Sequence, residues 1–342
     1  MKYKGVVYDV GLRFTENSPY SVDPFNPALV EYDINIIANK LKANSIRIEG
    51  EDIERLATAA RAACLAGLTV FFNPWKMNVP TEELPNYFRS AAKKAELLLK
   101  EGIDIIFVCG CEITMFNEGI LPGKTLMDRI GWLANLSENA VVILAEKSVT
   151  LNNVLHNITN VVRSEFSGAI TYSSGTWESV DWDMFDMVGV DYYRNGETSE
   201  AYVSGLDRYR LNKPLIVMEV GSCTYKGAAA KGAGGFMLLE GINQDGTGKF
   251  ANGLLPIRCE SEQADYVSNQ LDLLTKVDVD GIFIYVFSFP SYCSGVGAKD
   301  LDMMCFSLVK TYSKDDPRSA GMPPWSPKKS FHRVAQFFKK IK

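Results

Sequence analysis

The chain has 342 residues, 46% of them hydrophobic and 23% charged, with a formal net charge of −5. That length holds two ordinary domains or one large barrel. No basic block or stripe stands out, which argues against a nucleic-acid partner, and no run approaches the roughly 18 apolar residues of a membrane span.

Residues 4–10 read as a short strand, followed by a loop rich in Pro, Asn and Ser. From 27 to 41, Leu29, Tyr32, Ile36, Ile37 and Leu41 recur at helical spacing. A second strand is expected at 44–49, an alanine-rich helix at 51–66 and a third strand at 67–73. The helix predicted at 81–100 opens with Glu82 and Glu83, carboxylates suited to the positive end of a helix dipole. The fourth strand, 103–112, ends in Glu112. An excursion to about residue 150 follows, with Pro122-Gly123 and one or two helical segments. Next come a helix at 151–166, a strand at 169–172, a short helical piece at 181–185 and a strand at 187–192. A helix at 199–211 delivers the chain to Pro214-Leu-Ile-Val-Met-Glu219-Val-Gly-Ser222, an apolar run of the kind buried on both faces of a parallel sheet. Beyond a Gly- and Ala-rich stretch, 224–256, a helix at 260–276 leads to a last strand at 281–287. Residues 327–342 form an amphipathic basic helix.

Eight buried strands therefore alternate with helices, without a linker, and each crossover is long enough for a parallel connection. A doubly wound sheet would place a Gly-rich phosphate turn after the first strand, and Val10-Gly11-Leu-Arg lacks one. The expected fold is α/β, a single (β/α)8 TIM barrel over residues 1–342. The extended loops after strands four and seven would cover its mouth, the second of them as a lid. The amino-terminal residues enter a strand directly, without the apolar region of a signal peptide. Seven cysteines without paired spacing are not a disulfide framework. A reduced, cytoplasmic protein is the expectation. With two histidines in the chain, zinc at Cys109 and Cys111 is not expected.

A carboxylate at the end of a buried strand is costly unless it is paired or has a task. In a barrel the carboxyl ends of the strands converge, so Glu112 and Glu219 would face each other across one opening, as paired carboxylates do in carbohydrate chemistry. Val108-Cys-Gly-Cys-Glu112, Asp186-Met-Val-Gly-Val-Asp-Tyr-Tyr193 and Leu215-Ile-Val-Met-Glu219-Val-Gly221 resemble the clan A glycoside hydrolases, retaining glycosidases on this barrel. The resemblance covers nearly the whole chain in element order. More narrowly, the chain is similar to a group of glycosidase-like barrels often labelled abortive infection proteins, a label that says little about chemistry. The resemblance implies that Glu112 is the acid/base and Glu219 the nucleophile, with an arginine, Arg47, beside the nucleophile and Tyr193 donating a hydrogen bond to it. Two positions depart from the clan: Cys111 stands where asparagine binds the sugar 2-hydroxyl, and Phe287-Ser288 replaces the tryptophan that follows strand eight.

The physical requirements agree. A nucleophilic Glu219 needs donors and positive charge, and the Arg47 guanidinium can grip a carboxylate. Glu112 as general acid needs a raised pKa from apolar surroundings, for which Cys109, Met115 and Phe116 are placed. Trp75, Trp177, Phe287 and Phe289 near strand ends could stack on a sugar. Tyr8, Asp9 and Asp191 could bond its hydroxyls, with Asp191 alternatively a partner of Arg47. No cofactor fingerprint is present, and the expected partner is a sugar or other small-molecule substrate. Carboxyl groups roughly 5–5.5 Å apart would retain configuration, and roughly 6.5–9.5 Å would invert it. The same pair could instead catalyse elimination, isomerisation or cyclisation of a small metabolite. A barrel that only binds a ligand or a partner protein is the remaining class.

Overall fold

The computed structural model describes residues 1–15, 18–136 and 140–341. Eight parallel strands close on one another in chain order: β1 (Tyr3–Asp9), β2 (Ser45–Gly50), β3 (Thr69–Pro74), β4 (Ile105–Cys111), β5 (Ile170–Gly175), β6 (Val188–Asp191), β7 (Leu215–Val220) and β8 (Gly281–Ile284). With helices between the strands, this is the (β/α)8 barrel expected from the sequence.

Alternation along each strand sorts side chains between two environments. Val6, Tyr8, Ile46, Ile48, Val70, Phe72, Val188 and Val190 point outward and pack under the helices. Tyr3, Val7, Phe71, Ile106, Val108, Ile216, Met218 and Phe283 fill the barrel interior. Between β5 and β6 the backbones come so close that a Cβ on Gly189 would stand 2.2 Å from the Tyr172 carbonyl oxygen, so only glycine fits there.

The helices are α1 (Pro27–Asn39), α2 (Ile53–Leu65), α3 (Leu84–Lys100), α4 (Ile113–Phe116), α5 (Leu126–Ala134), α6 (Ala140–Glu165), α7 (Ser199–Ser204), α8 (Glu260–Lys276) and α9 (Lys329–Lys340). Asp52 caps α2 by accepting from the amides of Glu54 and Arg55, and the alanines at 57, 59, 60, 62 and 63 let this helix lie close on the sheet. The helix predicted from 151 begins at Ala140 instead, because Ser148, Thr150, Asn152 and Asn153 are weak helix formers that mask its periodicity. The helix predicted at 199–211 ends at Ser204, where Gly205 follows, and resumes as a 3₁₀ turn at Asp207–Tyr209.

The segment after β7, read as a Gly- and Ala-rich stretch with little periodicity, contains an antiparallel ribbon of Leu239–Ile242 with Gly248–Phe250. Its tight turn passes through Asp245-Gly246, a hairpin signal present in the sequence. A second ribbon, Val309–Thr311 with Trp325–Pro327, lies beyond β8. All seven cysteines are free. Among the described residues, no helix is long and apolar enough to cross a membrane.

The last strand corrects one expectation. β8 stops at Ile284, three residues short of the predicted end, and Phe287 is not at the mouth. It is fully buried, its ring perpendicular to Trp325 at 5.4 Å and 6.0 Å from Tyr8. Tyr285 occupies the position expected of Phe287, half-buried at the carboxyl end of the strand. Phe287→Ala is therefore expected to cost about 3–5 kcal/mol of folding stability, measured by denaturant unfolding, while ligand binding by the folded fraction is preserved.

Candidate active site

Strict alternation would turn Cys111 outward with Phe107 and Cys109. Instead the register between β4 and β5 shifts between Val108 and Cys111, at Gly110 with φ +99°. This bulge re-aims the strand's last residues: Cys109 stays in the outer core, whereas Cys111 points into the mouth. Glu112 then adopts a left-handed backbone, φ 41° and ψ 47°, its amide bonded to the Ser173 carbonyl at 2.8 Å. For a residue with a side chain this conformation costs about 1–3 kcal/mol and persists only where its surroundings enforce it. The enforcement is visible. Glu178, buried on the β5 loop, accepts from the Thr114 amide and hydroxyl at 3.1 and 2.6 Å, and the Tyr172 hydroxyl accepts from the Ile113 amide at 2.8 Å. A matching irregularity pairs Asp191 with Glu219 across β6 and β7, so Met218 and Glu219 both serve the interior.

Arg47 is the centre of the site. Its Nη1 donates to Glu219 Oε1 and to the Met218 carbonyl, both at 3.0 Å, and lies 3.7 Å from Asp191 Oδ1. Its Nε donates to Asn73 Oδ1 at 2.8 Å. Tyr193 donates to the other oxygen of Glu219, Oε2, at 2.7 Å. The Cys111 thiol lies 3.5 Å from Asp191 Oδ2 and 3.8 Å from Glu219 Oε1, and Ser173 donates to Asp191 Oδ1 at 2.6 Å. Five of the residues singled out in the sequence, Arg47, Cys111, Asp191, Tyr193 and Glu219, thus form one contact network, with Glu112 adjoining it in the chain.

The remaining candidates divide. Trp75 packs in the mouth with Leu12, Met77 and Cys111, edge-on to Phe116 at 4.7 Å, its buried indole N–H without a partner among the described residues. Trp177 is half-buried and donates to Thr114 Oγ1 at 3.0 Å, so it belongs to the clamp behind Glu112. Asp9 accepts from Ser21 Oγ and the Gly11 amide, which ties it to the loop after β1. Sequence reasoning passed over Glu49, Asn73, Ser173 and Tyr285. The first two lie at even spacing from inward-facing residues (Glu49 after Arg47, Asn73 after Phe71), and that parity was the available signal.

Burial dominates the electrostatics. It pushes the Glu112 carboxyl well above the usual carboxylate range, helped by the charges of Asp191, Glu219 and Glu178. Burial and then Glu219 raise Asp191, and burial raises Asp9 to about 6. The Cys111 thiol is pushed up by burial and by Asp191, so it stays protonated. Burial works against the Arg47 guanidinium, but the Glu219 carboxyl group facing it at 3.0 Å keeps it charged. Cys111, Asp191 and Glu219 offer ligand atoms within 4.8 Å of one another. The guanidinium already neutralises that position, and a protonated thiol is a poor metal ligand, so this donor set does not suit a cation.

No family model matches the chain, and no curated protein does. Solved structures do. A GH113 beta-1,4-mannanase superposes with a TM-score of 0.60 at 14% identity, over 100% of both chains. A GH113 beta-mannanase from Alicyclobacillus acidocaldarius gives 0.55 at 15% identity, over 99% of this chain and 98% of that one. A beta-glucosidase gives 0.57 at 11% identity, with the same coverage. The likeness is one of fold.

The raised Glu112 value has a definite sign for stability. The folded state holds this proton more tightly than the unfolded chain, so the group destabilises the fold progressively as pH rises from the ordinary carboxylate range through its folded value. Glu112→Gln removes that term. The melting-temperature advantage of the variant over the wild type is expected to widen from pH 4 to pH 9 in thermal scans.

Proposed function

We propose that this chain is a glycoside hydrolase-like enzyme, a retaining O-glycosidase with Glu112 as acid/base and Glu219 as nucleophile. The observation that carries the reading is the grip on Glu219: Arg47 holds one carboxyl oxygen at 3.0 Å and Tyr193 the other at 2.7 Å. A carboxylate fixed through both oxygens is oriented for attack and loses little freedom in reaching a reactive geometry. Glu112 has the opposite character. Buried beside like charges, it is held well above the usual carboxylate range, as a general acid requires. The fold shared with mannanases and a beta-glucosidase supports an enzyme of this class.

In the first step Glu112 gives its proton to the leaving glycosidic oxygen as a Glu219 oxygen attacks the anomeric carbon, which yields an alcohol and a glycosyl ester. Glu112, now ionised, takes a proton from water, whose oxygen attacks the same carbon and frees Glu219. Trp75 and Tyr285 would flank the sugar.

A second reading is favoured by Cys111. Its thiol lies against Asp191 and Glu219 and beside apolar Leu12, Trp75 and Met77, so this wall offers little to a hydroxylated ring. The same acid and base could then serve elimination, isomerisation or cyclisation of a less polar metabolite.

The test is a panel of nitrophenyl glycosides, begun with β-mannosides and β-glucosides, with wild type, Glu112→Gln and Glu219→Gln. Turnover on at least one sugar is expected, reduced at least about 100-fold in each variant, with retained configuration in the first-formed product by proton NMR. Absence of turnover on every sugar, with saturable binding of a non-sugar metabolite, moves the assignment to the second reading.

A further inference from the structure

Glu49 has no part in that mechanism, yet it is the least satisfied side chain at the mouth. It follows Arg47 by two residues on β2, so both point inward, and both are fully buried. Among the described residues no group meets hydrogen-bond geometry at either Glu49 carboxyl oxygen or at Arg47 Nη2, which stands 3.4 Å from Glu49 Oε2, although the Tyr285 hydroxyl is near enough to favour the ionised form. The rest of the guanidinium is committed, Nε to Asn73 and Nη1 to Glu219 and the Met218 carbonyl. Arg47 is thus a rigid plane between two acids, bonded to one and held just short of the other.

A buried carboxylate without hydrogen bonds is among the most costly states a side chain can occupy, whereas its protonated form is tolerated. The titratable groups facing Glu49 come from three strands and from the residue that follows β8. Asp9 from β1 and Glu219 from β7 oppose its ionisation, Arg47 on β2 and Tyr285 after β8 favour it, and burial outweighs all of them. On β3 its register partner is Asn73, which is neutral. A planar guanidinium cannot close the gap to Glu49 without swinging Nη1 away from Glu219.

We propose that Glu49 is a positioning residue that acts through Arg47: neutral, it leaves the guanidinium on Glu219, and ionised, it draws the guanidinium off it. This rests on Glu219 being the nucleophile. The consequence is a loss of nucleophile alignment as pH rises that is separate from the deprotonation of Glu112.

The two effects separate in a reaction that needs no general acid. The rate at which 2,4-dinitrophenyl 2-deoxy-2-fluoro-β-glycosides trap Glu219 covalently, followed by release of dinitrophenolate and by intact-protein mass, reports the nucleophile alone. In the wild type this rate is expected to fall about tenfold or more between pH 6 and pH 9, and in Glu49→Gln, which stays neutral, to vary less than about threefold. An equal slope in both proteins, or loss of trapping by Glu49→Gln at every pH, overturns the proposal. If the wild type is not trapped at any pH, the glycosidase reading fails, and carbon-13 carboxyl titration of glutamate-labelled wild type decides the positioning separately. It also serves if Glu49→Gln does not fold. A buried glutamate signal titrating above the usual range, with the Glu219 signal moving over the same pH interval, supports the coupling. A Glu219 signal indifferent to that titration overturns it.

Discussion

A single buried guanidinium organises the mouth of this barrel. Arg47 has no exposure to water, and Glu49, Asp191 and Glu219 all lie within 3.7 Å of its nitrogens. Acids gathered this closely in a poorly polarisable interior cannot all be charged. One cation among them decides which acid carries negative charge and which keeps its proton. Glu112 is beyond the contacts of Arg47 and is pushed toward the neutral form, whereas Glu219 receives the guanidinium and the Tyr193 hydroxyl. Two residues of the same type thus meet opposite surroundings.

Much of the barrel was legible because buried parallel strands are written as apolar runs, and those of 103–112 and 214–219 end in Glu112 and Glu219. The inward set at the mouth was legible only in part. Arg47 and Asp191 stand out as charges inside apolar strands, but Glu49 reads as an ordinary solvent carboxylate at a strand end until the parity with Arg47 is counted. Phe287 was misplaced because Tyr285-Val-Phe287 continues the apolar run of β8 after the strand itself has ended at Ile284. Hydrophobicity reports burial, and Phe287 is buried, but under Trp325 and not at the mouth. The bulge at Gly110 was invisible for a related reason: a glycine in a strand is compatible with plain continuation, and only the register with β5 shows the extra residue.

The site concentrates features that are scattered elsewhere in the fold, such as the left-handed Asn78 and the raised Asp33. It contains a left-handed glutamate, acids lifted out of their usual range and a carboxyl without a geometric hydrogen-bond partner among the described residues, all within a mouth whose outer walls follow regular alternation. Such concentrations are maintained against stability by the surrounding structure, here the clamp of Tyr172, Thr114 and Glu178 behind Glu112.

The segment between β7 and α8 has a different consequence. Cys223, Tyr225, Ala228 and Phe250 pack with Met303 and Met304 from beyond β8 into a small apolar cluster separate from the main cores. A segment with its own interior can accumulate substitutions, or be exchanged for another of similar footprint, while the strands of the barrel keep their spacing. Divergence in such a scaffold would then be recorded first in that segment and last in the acids at the strand ends.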